Sequence, residues 1–274
     1  MALRNGLSEE LNRQGNEHFS CGHYTEAYAC YAKALECDRL TGDRRALVAT
    51  LGNLGNICAV SGRRESAQAH YLEVLELQKV LGDEKGIGTT LANLGNLRAD
   101  AGEWDLARAY YLEALDLMTR TRDEAAEAVL YSDLGLVARE TGQFEEAIRC
   151  YERSLILMRR LGNSGGVADA WRMIGRTFLI QKRYDDAIAC CQTSQAIAER
   201  LRDELRTGGA RYVLAQCYED TGRLGEAVEM LEHVVAMDRK HRLPKLEENT
   251  QRLSVLRARL AEQEPTRPHR GTHP

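Results

Sequence analysis

The chain has 274 residues, 43% of them apolar and 28% charged, with a formal net charge of −4. That balance is enough for a core, argues against global disorder, and leaves no broad positive field, so nucleic acid is disfavoured as the main ligand. No stretch is long and apolar enough to cross a bilayer, and residues 1–10, with Glu9 and Glu10, lack the apolar segment of a secretory signal; no membrane partner and a cytoplasmic location are expected.

Helix is the expected state throughout. Only four prolines occur, and three of them (Pro265, Pro268 and Pro274) lie at the end, so long helices can run uninterrupted. The aromatic share is 6% and β-branched runs are missing, which also favours helix over sheet.

Three residue series share one period of forty. The first is Gly15, Gly55, Gly95, Gly135 and Gly175, with Ala215 in sixth place. The second is Ala27, Ala67, Ala107, Ala147, Ala187 and Ala227. The third is Tyr31, Tyr71, Tyr111 and Tyr151, then Cys191 and Leu231. Chance does not give three independent series with one period, and such self-similarity marks a stacked-repeat architecture.

In chain order the units fall at 3–42, 43–82, 83–122, 123–162, 163–202 and 203–242. From the second on, each begins on a residue suited to cap a helix: Asp43, Asp83, Asp123, Asn163 and Asp203. A first helix, A, follows and ends at a turn glycine: Gly22, Gly62, Gly102, Gly142 or Gly222. Lys182 stands at that place in the fifth unit, at a cost of up to about 1 kcal/mol. A second helix, B, then runs to a stop, where Gly42, Gly82 and Gly162 directly precede the next cap. Each helix is expected to be about 27 Å long at 1.5 Å per residue. The small residues on A and B let the two helices approach, and the tyrosine fills the space beside the contact. Beyond the last unit, Leu246, Leu253, Leu256 and Leu260 give 243–263 one apolar stripe, the pattern of an amphipathic helix that caps a stack. The tail, 264–274, is polar and proline-rich and is expected to be disordered.

Leu51, Leu54, Gly55, Gly62, Ala67 and Tyr71 match the skeleton of the tetratricopeptide repeat, and the chain resembles that family over about 3–242. The runs Asn53-Leu54-Gly55-Asn56 and Asn93-Leu94-Gly95-Asn96 look most like the long repeats of the Pins and LGN type. The resemblance implies an all-α, right-handed superhelical solenoid of six helix-turn-helix repeats plus the capping helix. It also implies a concave groove lined by A helices that holds a peptide or protein partner, as an adaptor or as a peptide-sensing regulator.

By the geometry of that family, the inner face takes the A-helix residues three before, two before, one after and four after the key glycine. In the first three repeats these include Asn12, Asn16, Asn53, Asn56, Asn93 and Asn96. A carboxamide carries donors and an acceptor together, which suits the backbone of an extended peptide. Asparagine is also a poor helix former, so its recurrence mid-helix calls for compensation, either from a ligand or from contacts with the next repeat. Asp133 and Leu136 replace the pair in the fourth repeat. Arg172 and Arg176 lie one turn apart in the fifth, with Arg139 on the neighbouring helix; they suit a carboxylate or phosphate on the ligand. Acids nearby (Asp100, Glu140, Glu219 and Asp220) offer the alternative of internal neutralisation. The cochaperone clamp for a C-terminal carboxylate needs basic residues where this chain has Asn12, Thr89 and Asn93, so that type of receptor is disfavoured.

Other chemistries find no support. Eight cysteines occur without a Cys-x-x-Cys pair, and Cys30, Cys150 and Cys190 share one repeat position, as packing residues do. Gly162-Asn163-Ser164-Gly165-Gly166 fits Gly-x-Ser-x-Gly, but a helix rather than a strand precedes it. No phosphate-binding loop and no His-Glu-x-x-His motif occur. Neither catalysis nor a cofactor or metal is expected, and the chain is read as a monomer or weak homo-oligomer.

Overall fold

The computed structural model describes residues 2–263, which form thirteen helices and no strand. They fall into two compact units, divided between Thr141 and Gly142. The first unit holds α1 (Ala2–Ser20), α2 (Tyr24–Thr41), α3 (Arg44–Val60), α4 (Arg64–Leu81), α5 (Glu84–Asp100), α6 (Trp104–Arg120) and α7 (Glu124–Glu140). The second holds α8 (Phe144–Arg160), α9 (Ser164–Ile180), α10 (Tyr184–Arg200), α11 (Glu204–Asp220), α12 (Leu224–His241) and α13 (Leu246–Gln263). The tail expected to be disordered, 264–274, lies outside the described residues.

Caps and stops explain why the helices begin and end where they do. Asp43 accepts from the amides of Arg45 and Ala46, Asp83 from Gly86, Asp123 from Ala126, Asn163 from Gly166 and Asp203 from Arg206. Each bond satisfies an amide that the first turn leaves without an intrahelical partner. The B helices start without side-chain caps, but Glu26, Glu65, Asp105, Glu145, Asp185 and Glu226 place a negative charge in their first turns, where the helix dipole favours it. The turn glycines are all left-handed, and at the same kind of position Lys182 is held at φ 60°. Arg122 and Arg202 adopt φ 56° and 55° at joints where Gly42, Gly82 and Gly162 stand elsewhere.

In the first unit each helical pair is built on one contact. The rings of Tyr31, Tyr71 and Tyr111 lie directly on Gly15, Gly55 and Gly95, so a Cβ on any of these glycines would overlap the ring. The tyrosine therefore sits on the glycine rather than beside a close approach of two backbones. Ala27, Ala67 and Ala107 are wholly buried one turn before the tyrosines. Buried polar bonds join the first pairs: Thr50 Oγ1 donates to Asp38 Oδ2 at 2.6 Å, and Thr90 Oγ1 donates to Gln78 Oε1 at 2.8 Å. The corresponding residues further on, Leu130 and Met118, are apolar and buried.

The second unit keeps the plan with smaller partners. Gly175 faces the Cys191 thiol, and Leu231 is buried in the same cluster as Ala215. The side chain on B has shrunk, and by the last pair A again carries a Cβ. Leu253 and Leu256 of α13 enter that cluster beside Leu231 and Val234, so the last helix covers an apolar face that would otherwise meet water. No helix among the described residues is long and apolar enough to cross a membrane.

Candidate functional site

The asparagines of the first unit divide into two kinds. Asn12 is spent on packing. Its Nδ2 donates to the Ser8 carbonyl at 3.1 Å and to Thr50 Oγ1 at 2.7 Å, and its Oδ1 accepts from Asn53 Nδ2 at 3.2 Å. It stands three residues before its glycine, where Gly52 and Ala92 are the equivalents, and this position faces the next A helix. Asn12 and Asn53 thus form a rung between α1 and α3.

Asn16, Asn56 and Asn96 are exposed. Each accepts at Oδ1, at 2.7 Å, from the hydroxyl of the tyrosine that covers the glycine before it: Tyr31, Tyr71 or Tyr111. The acceptor is turned inward and the two Nδ2 donors are left for solvent or a ligand. The tyrosine so links packing to the surface: its ring requires the glycine, and its hydroxyl orients the next side chain. Burial raises the hydroxyl pKa of Tyr71 to about 12, so the phenol remains a donor at neutral pH.

Asn53 and Asn93 are half-buried two residues before their glycines, and Asp133 takes that place on α7. Burial pushes the Asp133 carboxyl up to about 7, because a charge there is poorly solvated. Arg139 is turned into the packing. It is 5% exposed, and its Nε and Nη2 donate to Glu140 Oε1 at 3.2 and 2.9 Å. This is the internal neutralisation by Glu140 that the sequence offered as the alternative to ligand contact.

In the second unit α9 and α11 pack side by side, and Arg172 and Arg176 project from α9. Arg172 lies 3.5 Å from Asp169, whose other oxygen is held by Arg206 at 2.9 Å. Its stem runs against Gly209, where a Cβ would come within 3.3 Å of Arg172 Cδ. Both arginines line a cleft of about 550 Å³, together with Tyr212, Leu243, Lys245 and Asn249. One wall is the connection between α12 and α13. Glu219, expected as a neutralising neighbour of the arginines, instead binds Arg252 at 2.6 Å and Arg259 at 3.1 Å, both on α13. The capping helix thus reaches the A-helix surface as well as the core. Counting three before and one after Ala215 gives Tyr212 and Gln216, so the rule that selected Arg172 and Arg176 also points to two more cleft residues. Lys245 and Asn249 lie outside the repeats and carried no such signal.

The thiols of Cys190 and Cys217 are pushed up to about 11 by burial, which suits packing residues and not nucleophiles. Among the described residues no three His, Cys, Asp or Glu side chains cluster as a metal site.

Several solved structures share the architecture. BtubC from P. vanneervenii is 20% identical over 90% of this chain and 95% of its own, with a TM-score of 0.66. A signal transduction ATPase with a tetratricopeptide repeat sensor, from Pyrococcus horikoshii, is 16% identical over 92% of this chain and 39% of its own, at 0.72. A Rap protein complexed with Competence and Sporulation Factor is 14% identical over 93% of this chain and 76% of its own, at 0.65. At such identities the likeness shows the fold. No curated protein matches the chain by sequence. Tetratricopeptide repeats serve in general as non-catalytic interaction modules, and that family matches residues 11–80, 86–160 and 166–240. The chain belongs to the tetratricopeptide repeat family.

Proposed function

We propose that this protein is a cytoplasmic interaction adaptor that holds an extended segment of a partner protein along its A helices, in the manner of the long-repeat Pins and LGN type. The observation that carries the reading is the orientation of Asn16, Asn56 and Asn96, whose acceptors are held by tyrosine hydroxyls while their donors stay free. Three N–H pairs fixed in this way suit carbonyls about three residues apart in an extended chain, since packed helices stand about 8–10 Å apart and an extended chain rises about 3.3 Å per residue. Pre-orientation also lowers the entropy lost on binding. A net hydrogen bond contributes about 0.5–1.5 kcal/mol. Six to eight such bonds, with some apolar burial and the cost of ordering the peptide, give roughly micromolar affinity, the range of a reversible adaptor.

The test is affinity purification from native lysate with wild type and an Asn56→Ala, Asn96→Ala, Arg172→Glu variant, both shown to be folded by circular dichroism. A partner recovered by wild type alone is the expected result. Equal recovery by both would place recognition elsewhere on the molecule.

A second reading is a peptide-sensing regulator, supported by the likeness to a Rap protein complexed with Competence and Sporulation Factor. Small-angle scattering separates the two: a sensor contracts when the partner segment is added, whereas an adaptor keeps its profile.

A further inference from the structure

We propose that the cleft in the second unit takes an acidic peptide segment, with an Asp or Glu carboxylate beside an aliphatic side chain. The inference rests on the reading that the A helices hold a partner segment, and it names the chemistry of one stretch of that segment.

Charge carries the first half of the argument. Arg172, Arg176 and Lys245 line the cleft against a single acid, Asp238. Asp238 is 3% exposed, and its Oδ2 already accepts from Asn249 Nδ2 at 2.7 Å, so the three cations outnumber one partly satisfied acid. Among the described residues Arg172 has only a distant ion pair, 3.5 Å, with Asp169. The Lys245 ammonium stands 5.5 Å from the Tyr212 ring centroid, within cation–π range, and keeps its N–H donors for other partners. A guanidinium binds a carboxylate through paired, charge-assisted hydrogen bonds.

Shape and polarity supply the second half. Leu205, 53% exposed, stands at the cleft with Leu243 and Tyr212, an apolar surface that suits an aliphatic side chain. Asn249 is 2% exposed, and its Oδ1 has no hydrogen-bond partner among the described residues. A buried acceptor of this kind costs free energy until a donor reaches it, and a peptide N–H is such a donor. A free inorganic anion offers neither the apolar side chain nor the amide, which is why a peptide is favoured.

The experiment uses the full chain labelled with ¹⁵N and follows the Gly208 and Gly209 amides during titration. The probes are Ac-Leu-Asp-Glu-Leu-NH2, its neutral counterpart Ac-Leu-Asn-Gln-Leu-NH2, and inorganic phosphate. The acidic peptide is expected to shift both glycine signals saturably. It should bind about tenfold more tightly than the neutral peptide, and about tenfold more weakly to an Arg172→Gln, Lys245→Gln variant. Equal affinity for the two peptides, no saturable shift, or phosphate binding as tightly as the acidic peptide would each overturn the inference. Shifts confined to the Asn56 and Asn96 side-chain amides would also overturn it, while leaving the broader A-helix reading intact.

Discussion

The Tyr71 hydroxyl donates to Asn56 Oδ1 at 2.7 Å, while the ring of the same tyrosine lies on Gly55. Two neighbouring residues of α3 are thus tied to one residue of α4. Asn16 with Tyr31 and Asn96 with Tyr111 repeat the arrangement at the same distance.

Gly55→Ala is expected to destabilise the protein by about 1–3 kcal/mol, because the added methyl meets a rigid ring. Tyr71→Leu should recover part of that loss in the double variant, since Ala215 and Leu231 already form the equivalent combination in the core. Urea unfolding of the two single variants and the double variant gives the coupling directly. Simple additivity would contradict the contact.

Tyr71→Phe keeps the ring on Gly55 and removes the hydroxyl. Stability should fall by no more than about 1 kcal/mol, since the bond lies near the surface. Partner affinity should fall severalfold as the Asn56 amide loses its fixed orientation. Calorimetric titration of the variant against a recovered partner segment checks this.

Lys182 occupies a left-handed conformation at φ 60°, which a Cβ disfavours. Lys182→Gly should raise stability by up to about 1 kcal/mol, with the greater freedom of glycine in the unfolded chain offsetting part of the gain. Thermal unfolding measures it, and a lower midpoint would contradict the strain.

Asp133 gives a pH dependence with a definite sign. Its folded-state pKa is raised from 3.8 to about 7, so between these values the folded form holds the proton more tightly than the unfolded one. The associated stability is full below about pH 4 and is lost as the pH rises towards 7. Asp133→Asn, which installs the side chain of Asn53 and Asn93, should remove that loss. The variant should be more stable than wild type at pH 8 by on the order of 1–3 kcal/mol. Parallel pH profiles for the two proteins would contradict the burial argument.

The sequence was most legible where one residue type answers one local need. Asp43, Asp83, Asp123, Asn163 and Asp203 announce helix starts because a side-chain acceptor is required there, and each caps a helix in the structure. The glycine and tyrosine series announced a helix pairing but not its geometry, since spacing alone does not distinguish a ring beside a glycine from a ring upon it. The asparagines were harder, because one residue type serves two ends. Asn12 closes a rung with Asn53, whereas Asn56 points its donors outward, and only the partner of each amide separates the roles. Arg139 takes the alternative set out for the arginines: its place on the helix is ligand-facing by the family rule, while its guanidinium is buried and paired with Glu140. Lys245 and Asn249 lie beyond the last repeat, where periodicity carries no information.

The most direct test of the central claim replaces Asn56 and Asn96 together with Asp, and separately with Ala. Aspartate still accepts from Tyr71 and Tyr111 but offers no N–H donor, whereas alanine offers neither. If the outward donors bind the partner, calorimetric titration with its segment will show both variants weakened about tenfold or more, with thermal stability nearly unchanged for the Asp variant. Wild-type affinity in both variants would contradict the account and remove the asparagines from the binding surface.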